Sequence, residues 1–163
     1  MNQEIATLKS ILLETKRNLQ ELFNQIELAV QEDIALLGKT KRSALIMAGL
    51  YENWYTCIET AFFRISQQFE NNLQKERWHH SLLSTMTLHI QGVRIAAVSP
   101  ENYNYLLEIF KFRHFKRYYF QIDYDWKKME YILEVIKEAH PRALKDIDNF
   151  IAFLTELIEK PEV

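Results

Sequence analysis

A chain of 163 residues with 48% hydrophobic content, three glycines and three prolines can bury a sizeable core, but it has too few turn formers for a many-stranded sheet. Its formal net charge of −2 excludes a protein that coats nucleic acid or anionic membrane over its whole surface, so any polyanion would have to meet a local patch. Cys57 is the single cysteine, which rules out an intrachain disulfide and a multi-cysteine zinc site and fits a reducing compartment, the cytoplasm.

Apolar residues recur at a period near 3.6 in almost every segment, so an all-α chain is expected, with residues 1–163 forming one domain. The first stripe runs through Ile5, Leu8, Leu12, Leu19, Leu22, Ile26, Val30 and Ile34, and Gly38 supplies the stop. A second helix is expected over residues 41–69, through Leu45, Ala48, Tyr55, Ile58, Phe62 and Ile65, closed by Asn71 and Asn72. Gly49 inside it costs about 1 kcal/mol relative to alanine. A third covers residues 77–89, with Trp78, Leu82, Leu83 and Met86, and ends at Gly92 after which an irregular link follows. Ser99-Pro100-Glu101 is a helix start: a capping hydroxyl, a proline at the first helical position and an acid near the positive end of the dipole. That fourth helix continues through Leu106, Leu107 and Phe110; Asp123 and Asp125 can cap a fifth over residues 126–139, and Pro141 separates a last one over 144–158. The simplest architecture is an up-and-down bundle of about five or six helices. The amino terminus reads as lacking a secretory signal, and no apolar run approaches the roughly 18 residues of a membrane span, so no membrane partner is expected.

Residues 110–120 depart from the acidic average. Four cations (Lys111, Arg113, Lys116, Arg117), His114 and six aromatics fill eleven positions with no acid among them. Such a segment suits a phosphate-bearing ligand whose bases stack. Steps of three and four from Leu106 and Leu107 lead to Phe110, Arg113, His114 and Arg117, so these polar groups continue the core-facing stripe. A guanidinium placed there needs a cleft, a second copy of the chain, or a core carboxylate such as Glu59 or Asp125.

Several elements in order carry a family resemblance: Leu50-Tyr51 with Glu59, Trp78-His79-His80-Ser81-Leu82-Leu83, Val93-Arg94, Val98-Ser99-Pro100-Glu101, Phe112-Arg113-His114 and Asp123-Tyr124-Asp125-Trp126. Together, over about residues 33–136, the chain resembles the HepT-like branch of the HEPN domains. The resemblance implies an all-helical, usually homodimeric protein and a metal-independent, cofactor-free endoribonuclease toxin, whose antitoxin is a minimal nucleotidyltransferase. RNA is then the expected partner, with no DNA specificity. It also implies a motif of arginine, a polar residue, three variable positions and histidine, with a tyrosine two residues later. By position Arg113 and His114 open the motif, Tyr118 stands in place of the histidine, and Phe120 in place of the tyrosine. The family's chemistry gives the histidine the 2′-hydroxyl proton and the arginine the phosphoryl charge. With a tyrosine there, whose ordinary pKa is near 10, His114 is the better proton-transfer group. Lys111, Lys116, Arg117 and Phe120 are the expected RNA contacts.

Three readings follow: a weakened ribonuclease, a silent HEPN module that binds RNA or a nucleotide, and a helical subunit that binds protein through the same segment. Elsewhere the signals are bland. Adjacent His79 and His80 diverge by about 100° on a helix and offer no metal set. His89 and His140 fall near expected helix ends, where a dipole contact suffices, and Cys57 reads as an inert thiol.

Overall fold

The apolar periodicity becomes an antiparallel helical bundle. The computed structural model describes residues 2–70, 78–118 and 125–159, with the side chains of 78–81 and 117–118 outside the description. Asn71, Asn72, Phe120 and Asp123 therefore lie outside the described residues, as do the side chains of Trp78, His79, His80, Arg117 and Tyr118. Helix α1 (Asn2–Leu28) runs through a π-helical turn (Ala29–Ile34) into α2 (Ala35–Leu37), and Gly38 ends this rod with a φ of 70° that other residues rarely adopt. The wide π turn resets the stripe: Ala29 is buried, whereas Val30, expected inside, is 36% exposed.

Helix α3 (Lys41–Phe69) starts from a reciprocal cap in which the Thr40 and Ser43 side chains each accept from the other's backbone N–H. Helix α4 (Trp78–Met86) is followed by a tight turn at Gly92 with an isolated antiparallel bridge between Ile90 and Arg94. Helix α5 (Pro100–Tyr118) begins at the predicted proline. At this start the Asp146 carboxylate, on a distant helix, accepts from the Ser99 N–H (3.2 Å) and from the Asn102 side chain (3.1 Å). Burial holds the Asp146 carboxyl above its usual range.

Helix α6 (Trp126–Glu159) corrects the expected break at residue 141. Pro141 lies inside one continuous helix. The buried face runs unbroken past it, through Ile136, Ala139, Ala143, Ile147, Phe150 and Leu154, while Pro141 itself is exposed. Packing of that face outweighs the lost hydrogen bond. Asp125 caps α6 as expected, accepting from the Lys127 N–H at 3.0 Å.

Helices α1, α3 and α6 pack along one another, and α5 lies against α6 and α3. The core between them is filled by Leu12, Leu19 and Ile26 from α1, Met47, Tyr51, Trp54 and Ile58 from α3, and Met129, Ile132 and Ile136 from α6. Two polar bonds fix the register of α3 on α6: the Tyr51 hydroxyl donates to the Met129 carbonyl (2.9 Å), and the Trp126 indole donates to that of Thr40 (2.8 Å). Among the described residues no helix is long and apolar enough to cross a membrane.

Candidate nucleic-acid interface on the fifth helix

The C-terminal half of α5 lies antiparallel to the middle of α3, so residues 112–116 meet residues 51–59. Arg113 does continue the core stripe and is only 2% exposed. Its two terminal nitrogens grip the Glu59 carboxylate, Nη1 to Oε1 at 2.8 Å and Nη2 to Oε2 at 2.5 Å. Nη1 also reaches the Thr56 hydroxyl (3.3 Å), and the guanidinium lies over the Tyr55 ring, 4.9 Å from its centroid. A fork geometry of this kind is the strong form of an ion pair, and it answers the cost of burying both charges. Arg113 Nε is buried with no hydrogen-bond partner. Of the two carboxylates weighed for Arg113, the structure selects Glu59.

His114 does not share that site. Neighbouring helical positions diverge by about 100°, and His114 faces solvent, with its ring 6.3 Å from that of Phe110. Arg113 and His114 of one chain are thus not brought onto one cleft. Phe115 follows, 47% exposed. The inference of an uncancelled basic field is also corrected. Lys111 meets Glu108 at 3.2 Å and Lys116 meets Glu52, so each described cation of the segment has a carboxylate from outside it. Absence of acids within residues 110–120 said nothing about an acid three residues before Lys111 or acids on α3.

Behind this contact runs an open groove of about 440 Å³ between α1 and α3, lined by Asn18, Glu21 and Leu22 on one side and Asn53, Thr56 and Cys57 on the other. Thr56 therefore belongs to both the groove wall and the Arg113 cluster. Sequence reasoning missed Thr56 and Glu52; their signal is only that they sit one helical turn from Glu59 and Tyr55 on α3. Burial pushes the Cys57 thiol up to about 11, which keeps it protonated and unreactive, as expected. No group of three or more potential metal ligands occurs among the described residues.

His140 is corrected as well. Because α6 continues through Pro141, this histidine is at mid-helix rather than at an end, and it is 5% exposed. Its Nδ1 accepts from the Trp54 indole (3.3 Å), Nε2 faces the Gln20 side-chain oxygen (3.4 Å), and the ring stacks on Phe23 at 4.1 Å. Burial lowers its pKa to about 4, so it is a neutral core residue. Arg94, from the Val93-Arg94 pair, is a second buried tie. Its guanidinium holds Glu70 and donates to the carbonyls of Thr85, Leu88 and Ile95, locking the turn after α4 onto the end of α3.

A family model of HepT-like proteins matches residues 46–154, about two-thirds of the chain, and covers α3 to α6 with the Arg113–Glu59 contact inside it. The chain belongs to the HepT-like proteins. No curated protein and no solved structure matches it. As a HepT-like protein of the HEPN superfamily it carries the all-helical architecture that the resemblance implied. Arg113, which the resemblance set at the motif arginine, is held by Glu59, a residue quoted for the same resemblance.

Proposed function

We propose that this HepT-like chain is the RNA-directed subunit of a cytoplasmic toxin–antitoxin pair, and that it binds RNA through the C-terminal half of α5 while its ribonuclease step is strongly attenuated. The observation that carries this reading is the bidentate Arg113–Glu59 pair at 2% exposure of the arginine. A guanidinium committed to a carboxylate is withdrawn from a scissile phosphate, and the motif position for the histidine is Tyr118. General acid–base catalysis is worth about 10²–10⁴-fold and one oriented charge-stabilising donor about 10²–10³-fold, so loss of both leaves little rate. Binding needs less. His114 and Phe115 are exposed on one side of α5, with Lys111 beside them and Lys116 and Arg117 following, a layout that supports base stacking next to phosphate contacts. Phe120 lacks a hydroxyl at the position where the family places the tyrosine, so neutralisation by a minimal nucleotidyltransferase partner would rest on complex formation rather than on modification there.

Purified protein titrated with labelled single-stranded RNA tests the reading. The expected result is salt-sensitive binding that is lost in a Lys111→Ala, Lys116→Ala, Arg117→Ala variant, with cleavage no faster than in buffer. Cleavage by the wild type that a folded His114→Ala variant lacks would show an active ribonuclease instead. Absence of salt-dependent RNA binding would leave the segment as a protein interface.

A further inference from the structure

The exposed side of α5 continues onto α6 as a strip of aromatic and charged side chains. Tyr131 on α6 is 48% exposed, and the Lys128 ammonium lies over its ring, 5.1 Å from the centroid. The Tyr131 hydroxyl donates to Glu108 Oε2 on α5 (3.5 Å), and Lys111 Nζ donates to Glu108 Oε1 (3.2 Å). Lys111 stands one turn before His114 and Phe115, so the three share one side of α5. The Glu108 carboxylate is therefore oriented by one donor on each oxygen, and its side chain remains 33% exposed. An ionised carboxylate accepts about two hydrogen bonds at each oxygen, so among the described residues one acceptor site per oxygen is left, side by side at the surface.

We propose that Tyr131 and Glu108 form a guanine-reading subsite of the RNA surface. The base stacks on the Tyr131 ring, and its Watson–Crick edge donates to Glu108, N1–H to one oxygen and the 2-amino group to the other. Guanine is the one RNA base whose edge places two donors side by side, the pattern that two oxygens of one carboxylate match. Adenine and cytosine set an amino group next to an acceptor nitrogen, which the second oxygen repels, and uracil offers a single N–H between two carbonyls. An arginine of a partner protein would present a similar pair of donors, but Lys111 and Lys128 beside the carboxylate disfavour a further cation and favour a nucleotide whose phosphate they can meet. Lys128, long and exposed, leaves the ring for that phosphate when the base takes its place. Glu108 and Phe115 are about 10 Å apart along the helix axis, so bases at the two ends of the strip belong to one short strand. The subsite rests on the proposed RNA reading and adds a base preference to it, which stacking platforms and cations alone do not supply.

The test is the affinity of the full chain for short labelled oligouridines carrying one central guanine, inosine or adenine, followed by fluorescence anisotropy. The guanine probe is expected to bind on the order of tenfold tighter than the adenine probe, with inosine, which lacks the 2-amino group, between them. Glu108→Gln should remove the guanine preference while RNA is still bound. Tyr131→Ala should weaken all three probes on the order of tenfold, whereas Tyr131→Phe, which keeps the ring and loses the bond to Glu108, should keep most of the affinity and narrow the preference. Free guanosine 5′-monophosphate should compete with the guanine probe and arginine amide should not; the reverse order assigns the carboxylate to a protein arginine and overturns the proposal. Equal affinities for guanine and adenine, or a preference that Glu108→Gln leaves unchanged, refute the subsite while the RNA reading stands. Absence of binding to every probe refutes the RNA reading and the subsite with it.

Discussion

Arg113→Ala separates a structural arginine from one that meets a phosphate. The replacement leaves Glu59, 6% exposed, without the guanidinium that satisfies both its oxygens, and it removes the cation stacked on Tyr55. Stranding one partner of a buried pair costs about 3–5 kcal/mol. For a domain of this size each kcal/mol moves the melting temperature by roughly 2–4 °C, so a loss on the order of 10 °C is expected. The assay is thermal unfolding followed by circular dichroism, extended to a double-mutant cycle with Glu59. Glu59→Leu with Arg113→Met should recover most of the loss, because an apolar pair of similar volume avoids the burial of charge, and the cycle should give a coupling energy well above 1 kcal/mol. An Arg113→Ala variant that melts within about 1 °C of wild type yet loses RNA affinity would refute this reasoning. It would place the guanidinium on a ligand.

Stability should fall on acidification because the folded chain holds His140 neutral down to a pKa of about 4, while the unfolded chain protonates it near 6.5. The unfolded state binds the extra proton between these values, so up to about 3 kcal/mol is lost from pH 6.5 to 4 and none above; Asp146, whose carboxyl is raised, works in the opposite direction. Denaturant titrations of wild type and His140→Gln across that window should diverge with decreasing pH, and parallel curves would remove His140 as the cause. Pro141→Ala should stabilise the protein by about 1–3 kcal/mol in chemical denaturation, since it restores an amide donor to mid-helix, and a destabilised variant would show that the proline shapes α6. Arg94→Met should lower the melting temperature by roughly 10 °C, because Glu70 and three carbonyls lose their donor, while leaving RNA affinity at α5 unchanged.

Local chemistry was legible wherever the deciding contacts are close in sequence. Gly38, Pro100 and Asp125 each mark a helix stop or start where their residue type places it. The same rules failed at Pro141, because an apolar face continuing for five turns beyond it contributes more than one missing amide costs. The inward aim of Arg113 followed from periodicity, but its partner is 54 residues away and periodicity carries no such information. Even so, a trace existed: Glu59 lies on the α3 face bearing Tyr55 and Phe62, as Arg113 lies on the α5 face bearing Leu106 and Phe110. Two opposite charges on two core faces each need a partner, and pairing them with one another leaves neither buried alone. The charge pattern of residues 110–120 misled for the converse reason. A run without acids is a one-dimensional statement, whereas the field at a surface is set by what the fold brings beside it, here Glu52, Glu59 and Glu108. Among its described residues that segment presents an exposed His114 and Phe115 beside lysines already paired to Glu108 and Glu52, so the proposed RNA binding would join stacking to a phosphate contribution smaller than the run of cations suggests.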